Sequence, residues 1–317
     1  MERGTMDLKR MEVFCKIVEF KSFTRAGEAL SLAQSTVSEH LRALENMLGE
    51  KLLDRFRGDV LPTPVGRVFY QYARSMLQTR DEAIQAVEQF RGKLAGQLNL
   101  AASTIPGTYI LPKLIRSFKS VNPGGQIALQ ISDTSVTAES VIDGSVEVGL
   151  VGASWHHPKL IFQEIVSDEL VLVVSSNHRW AGGARTIDVD ELTSEPFIMR
   201  EQGSGTRMVM KQIMEENGLN IRRLNVVAEI GSTEVVKQCV KDGFGVSILS
   251  WRAVSDDLRQ DSLVFVGIRG IKFHRSLYLI QRRKRQASPI CSAFLTHINN
   301  GLEAAKFHDA KALRSVI

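Results

Sequence analysis

Gln34, Ser35, Thr36 and Ser38 bring four uncharged hydrogen-bonding side chains into five positions, and His40 and Arg42 follow close behind. Short donors and acceptors at the start of a helix match the edges of DNA bases, and the cations after them suit phosphate. The spacing predicts a helix from about Ala33 to Leu48 with this polar face in the major groove. Val37, Leu41, Leu44 and Leu48 recur at i, i+4, i+7 and i+11 and form one apolar stripe on the other side. A plain two-helix core with a solvated outer face has the same spacing, so the flanking elements decide.

Those elements must hold the helix still. Thr24 is the expected N-cap of a preceding short helix, with Phe23 packed before it, and Ser31-Leu32 is the turn between the two. Ala26, Ala29 and Leu30 allow a close neighbour, and Leu8, Met11, Phe14, Ile17 and Val18 mark a first helix beneath. Residues 51–61 read as a two-stranded wing turning at Gly58-Asp59, with Arg55 and Arg57 placed for phosphate or the minor groove. The alternative pairs Arg55 with a nearby acid and leaves Arg57 solvated. Thr63 then caps a helix with Pro64 at its first position. That helix runs uncapped to about Arg91, roughly 42 Å at 1.5 Å per residue. Its apolar positions (Val65, Val68, Phe69, Tyr72, Met76, Leu77, Ile84, Val87, Phe90) require a partner along its length. A second copy, packed antiparallel, would bury them and fix two reading heads at a set spacing.

Ser22-Phe-Thr-Arg-Ala, Gln34-Ser-Thr-Val-Ser, Leu44-Glu45, Leu48-Gly49, Leu53-x-Arg55 and Thr63-Pro64-x-Gly66 together resemble the winged helix-turn-helix of LysR-type transcriptional regulators. Two positions depart from that pattern. Leu53 stands where Phe is usual, and Gly27 replaces an Ala, which weakens the helix by up to ~1 kcal/mol. The resemblance implies double-stranded operator DNA as partner, a homodimer through the linker helix, assembly to a tetramer, and RNA polymerase as a further candidate partner. With it, the DNA-facing set is Ser22, Thr24, Gln34, Ser35, Thr36, Ser38, His40, Arg42, Arg55, Arg57 and Thr63.

The chain has 317 residues, 44% hydrophobic and 24% charged, enough for two or three packed domains. Its net charge of +5 is compatible with DNA binding but is not gathered in front: residues 1–94 hold 15 Lys/Arg against 13 Asp/Glu. A single head of so little net charge needs a second copy for affinity. No apolar run approaches the ~20 residues of a membrane span, and Met1–Asp7 lacks a signal-peptide pattern, so a cytoplasmic protein with no membrane contact is expected. Cys15, Cys239 and Cys291 have no metal spacing; Cys15 and Cys239 are expected in the core. His156-His157 lacks partners for a metal, and Arg282–Arg285 reads as a solvated run.

Beyond a hinge at 91–96 the pattern becomes alternating strands and helices. The fold class is therefore α/β: an α-rich winged helix-turn-helix (1–64), a long linker helix (65–92), and a two-lobed effector domain (93–317) of periplasmic-binding-protein form. Lobe I covers about 93–166 and 272–317, lobe II about 167–271, with crossover segments near Val166–Leu170 and Val266–Lys272. The LysR effector domain has this form.

Ligands in such folds sit at the carboxyl ends of strands, between the lobes. Ser103, Thr104, Ile105, Ser132 and Gly152 occupy those positions in lobe I, and Arg200, Ser204, Gly205, Thr206 and Gly231 in lobe II. Gly203-Ser-Gly-Thr206 has the chemistry of an anion-binding turn. The expected effector is a small oxyanion or carboxylate, with Arg200 or Arg207 supplying charge; Thr206 acting only as an N-cap is the alternative. No cofactor or metal is expected. A transporter's solute-binding protein and an α/β enzyme are the rival classes. The first 90 residues oppose the former, and no nucleophile–base pair supports the latter.

Overall fold

The computed structural model describes residues 7–56, 59–90, 96–182 and 186–312. Arg57, Gly58 and the hinge residues 91–95 lie outside them. The chain forms two compact units: residues 1–93, and residues 94–317 without the short stretch 143–145.

In the first unit, Asp7 caps α1 (Leu8–Phe20) through its Oδ1, which accepts from Arg10 N at 2.8 Å. α2 (Phe23–Leu30) is capped by Ser22, whose Oγ accepts from Arg25 N at 3.3 Å. The cap therefore lies two residues earlier than expected. Thr24 is inside the helix and exposed, and Phe23 is the first helical residue, buried in the core. Ala29 is exposed as well. The close approach is made at Gly27, where a Cβ would stand 2.6 Å from Leu32 O, so the missing side chain lets the turn close. α3 (Gln34–Leu48) follows and ends at Gly49, whose φ of 74° is the left-handed conformation that glycine adopts freely.

Met11, Phe14 and Ile17 of α1 pack with Ala26, Val37, Leu41 and Leu44 around one core. β1 (Leu53–Phe56) and β2 (Asp59–Pro62) form the antiparallel wing, with Leu53 opposite Pro62. α4 (Pro64–Phe90) has two faces. Phe69, Tyr70, Ala73 and Leu77 turn inward, and the Phe69 ring lies 5.5 Å from that of Phe14. Val65, Val68, Tyr72, Met76, Ile84 and Val87 form an exposed stripe, with Tyr72 66% and Val68 59% accessible. Burial pushes the Cys15 thiol up to about 12, which makes it an unreactive core residue. Cys239, in the second unit, is only half-buried.

The second unit begins with β3 (Gln97–Ser103), one π-helical turn (Pro106–Ile110) and α5 (Leu111–Val121). β4 (Gln126–Ser132), α6 (Thr134–Ile142) and β5 (Val148–Val151) complete a βαβαβ half, in which β3 lies parallel to both β4 and β5. β6 (Leu160–Ser175) runs unbroken for 16 residues, straight through the crossover segment expected near Val166–Leu170. A two-residue strand, β7 (Thr186–Ile187), and the short α7 (Val189–Ser194) lead to β8 (Pro196–Arg200). Lobe II continues with α8 (Gly205–Glu216), β9 (Asn225–Ile230), α9 (Thr233–Lys241), β10 (Ser247–Ser250), α10 (Trp251–Arg259) and β11 (Leu263–Ile268). β12 (Phe273–Arg282) then pairs with β6 along its full length, and α11 (Pro289–Ala312) follows.

β6 and β12 are the two crossovers. Arg275 lies opposite Asp168 in their ladder, so the second crossing falls at about 273–277 and not at 266–272. The large sheet has the order β4-β3-β5-β12-β6-β11-β7, with β10 also on β6. Burial of Leu98, Leu100, Val148 and Leu279 fills one lobe, and of Leu172, Val174, Phe197 and Val266 the other. The carboxyl ends of β3, β5 and β8 are thereby set around one inter-lobe cleft.

Candidate DNA interface and effector cleft

The α3 stripe behaves as its spacing predicts: Val37 and Leu44 are fully buried and Leu41 nearly so. The opposite face carries Gln34, Ser35 and Arg42, all exposed, with Thr36, Ser38 and His40 half-buried. Gln34 Nε2 donates to Ser38 Oγ at 3.2 Å and so aligns two of these groups. Ala33 is the N-cap and cannot bond the first amides, which leaves the N-terminal N–H groups of α3 available to an anion. Arg55 pairs through its backbone with Val60 in the wing.

Thr63 is different. It is 9% exposed, its Oγ1 donates to Lys51 O at 2.7 Å and accepts from Gly66 N at 2.9 Å. Its hydroxyl proton is committed to the wing-to-α4 corner, so the side chain acts as the expected cap and has no donor left for DNA.

Glu45 is a residue whose role the sequence did not disclose. It is 6% exposed, its Oε1 accepts from Leu52 N at 2.9 Å, and its Oε2 pairs with Lys51 Nζ at 2.8 Å. One carboxylate thus ties the recognition helix to the root of the wing.

In the second unit, Ser103, Thr104, Ile105 and Gly152 from lobe I meet Arg200, Ser204, Gly205 and Thr206 from lobe II around one small space of about 10 Å³. That is room for one water-sized group. The lobes touch here: Gly203 O accepts from Ser135 N at 3.2 Å, and a Cβ on Gly205 would stand 2.7 Å from Thr134 Oγ1. Asp133 and Thr134 therefore also line the cleft. Asp133 Oδ1 accepts from Val136 N at 2.8 Å.

Ser204, not Thr206, is the N-cap of α8, and its side chain makes no capping bond. Thr206 lies within the helix, and its Oγ1 accepts from Arg275 Nη1 at 3.2 Å. Two expected residues lie off the cleft. Ser132 Oγ is 2.9 Å from Thr137 Oγ1, inside lobe I, and Gly231 contributes only a carbonyl, 3.3 Å from Arg200 Nη2. Arg200 sends Nε and Nη2 to the two oxygens of Glu201, at 2.7 and 2.8 Å, and Nη1 to Thr233 Oγ1. Arg207 pairs with Glu229 at 2.7 Å, so its charge is held away from this space.

Sequence reasoning missed the hinge pair. Asp168 and Arg275 have side chains 1% and 2% exposed, with Arg275 Nε donating to Asp168 Oδ2 at 2.8 Å. Ser250 Oγ is 2.9 Å from both Asp168 oxygens. Burial lowers the affinity of the Arg275 guanidinium for its proton; Asp168 opposes this, and Arg200 and Arg252 add to it. A usable signal was present: Arg275 alternates with Phe273, Leu277 and Leu279, and Asp168 with Leu170 and Leu172, so each charge stands at an inward position of its strand.

These two constructions have a precedent. A family model described as "Bacterial regulatory helix-turn-helix protein, lysR family" matches residues 8–67, and one described as "LysR substrate binding domain" matches residues 91–303. The chain belongs to the LysR family of DNA-binding transcriptional regulators, with an effector-binding domain behind the helix-turn-helix. Over 304 residues it is 31% identical to the RuBisCO operon transcriptional regulator of Allochromatium vinosum, covering 96% of this chain and 98% of that one. Full-length CbnR in complex with its target DNA has the same fold, with TM-score 0.66 and 21% identity over 93% of this chain and 99% of that chain. The regulatory domain of Synechocystis PCC6803 CcmR, in complex with 2-PG, aligns at TM-score 0.59 and 26% identity, covering 66% of this chain and 98% of that chain. Among the described residues, no helix is long and apolar enough to cross a membrane.

Proposed function

We propose that this regulator senses a small oxyanion or carboxylate held between its two lobes, and that the ligand, by changing how the lobes meet, alters how paired DNA-reading heads sit on the operator. The observation that carries this reading is the convergence of Ser103 and Thr104 with Ser204 and Thr206 across one cleft, at the N-terminus of α8. The dipole and open amides of that helix favour negative charge. CcmR, bound to 2-PG, is a relative whose regulatory domain aligns with this one. The exposed stripe on α4 supports pairing with a second copy, because a monomer would leave it in water. Dimers joined through α4, assembling further to a tetramer, give the ligand a lever on head spacing.

Equilibrium titration of candidate metabolites against the wild type and a Thr104→Ala, Thr206→Ala double variant tests the site. Affinity should fall in the double variant. Identical affinities would remove these hydroxyls from the site.

A further inference from the structure

Three arginines stand near the cleft, and their donors are used very differently. Arg200 has all three guanidinium nitrogens on Glu201 and Thr233. Arg207 is turned to Glu229 and to the Arg200 carbonyl. Arg275 has as deeply buried a side chain as Arg200, and its donors are less well used. Nε bonds Asp168 Oδ2 well, at 2.8 Å. Nη2 is buried and ion-paired with the same oxygen at 2.7 Å, without the geometry of a hydrogen bond, so two nitrogens share one acceptor. Nη1 reaches Gly152 O and Thr206 Oγ1 only at 3.4 and 3.2 Å, and both belong to residues that line the cleft. Buried donors are normally well satisfied in folded proteins, so a guanidinium with one good hydrogen bond and two long ones calls for an explanation.

We propose that Arg275 is the cationic anchor of the effector cleft: it takes one oxyanionic end of the effector, a carboxylate or a sulfate- or phosphate-like group, on Nη1 and Nη2. This rests on the cleft reading above and replaces Arg200 and Arg207 as the source of charge. Asp168 faces Nε and holds the guanidinium plane, so the fork presents a fixed pair of donors to two oxygens. Without an anion, the same carboxylate balances the buried charge. Gly152 is what permits the approach, since a Cβ there would stand 3.1 Å from Nη1. Arg275 and Asp168 lie on opposite crossover strands, so an anion seated on Arg275 acts at the hinge itself, where both lobes respond.

The test is calorimetric titration of the full-length protein with inorganic sulfate, inorganic phosphate and 2-PG. The wild type should bind at least one of them. Arg275→Gln combined with Asp168→Asn removes both buried charges together, and should lose at least about tenfold in affinity while melting cooperatively. Arg275→Lys keeps the charge without the fork and should fall between the two. A wild-type crystal grown with the bound anion supplies a readout independent of any variant: its oxygens should lie within hydrogen-bonding distance of Nη1 and Nη2. Unchanged affinity in a folded double variant, or an anion in the cleft away from Arg275, overturns the anchor and leaves the cleft reading standing. A wild type that binds none of the three anions removes the oxyanion reading and the anchor with it.

Discussion

Glu45→Ala should loosen the wing from the recognition helix. The carboxylate is 6% exposed and accepts from Leu52 N at 2.9 Å, and Leu52 is fully buried. Removing it strands that amide without water, at about 1–3 kcal/mol, and deletes a hydrogen bond to a charged acceptor. The ion pair with Lys51 adds little, because the Lys51 side chain is 75% exposed. The expected loss is about 2–4 kcal/mol for the DNA-binding unit, or on the order of 10 °C or more in its melting temperature. Glu45→Gln retains an acceptor for Leu52 and should lose about 1 kcal/mol. Hydrogen exchange on the full-length protein localises the effect: the Leu52 and Leu53 amides should lose protection in the alanine variant, and the effector unit should not change. Equal melting of the alanine variant and the wild type, or equal losses for Ala and Gln, would refute the reasoning.

Three further outcomes are expected. Ser35→Ala should weaken binding to specific operator DNA far more than to random DNA, whereas Arg42→Ala should weaken both and flatten the salt dependence; gel-shift titrations at several ionic strengths separate the two. Gly205→Ala adds a Cβ 2.7 Å from Thr134 Oγ1 and 2.9 Å from the Gly152 carbonyl carbon, so the lobes must part. Overpacking of about 1–3 kcal/mol predicts a roughly 5- to 150-fold weaker effector affinity, read by the same calorimetric titration. Burial alone would raise the pKa of Asp257, but hydrogen bonds from Lys241 and Lys237 outweigh it and hold the carboxyl below its ordinary value. Its stabilising contribution is therefore complete above the unfolded-state value and is lost as pH falls through the folded one. Thermal melts of Asp257→Asn and wild type should differ at neutral pH and converge once acid protonates the carboxyl; a constant gap would contradict the assignment.

The helix-turn-helix was legible because its signals are local. The apolar stripe of α3 and the Thr63-Pro64 start of α4 need only neighbouring residues to be read. Errors there were errors of a turn: Ser22 rather than Thr24 caps α2, since either hydroxyl could have done so. The effector unit was legible as an alternation of strands and helices, but the unbroken course of β6 was not. Ser167-Asp168-Glu169 interrupts its apolar run, and a polar triplet normally ends a strand. Asp168 can lie inside because Arg275, 107 positions away, meets it, with Ser250 bonding the same carboxylate. That compensation exists only in the fold. The same pair placed Arg275 in the cleft, while Arg200, the local candidate, is taken up by its neighbour Glu201. α10 escaped notice because its buried face is short, with Ala253, Val254 and Asp257 on it.

Sequence-dependent DNA binding by the full-length chain underlies every role given to α3 and the wing. Its most direct test is a mobility shift with full-length protein on the DNA upstream of its own gene, against a random fragment of equal length, across a range of salt. A complex that forms preferentially on the upstream DNA, weakens steeply with salt, and protects two half-sites a whole number of helical turns apart is the predicted result. Equal retention of both fragments, or of neither at low salt, would contradict it.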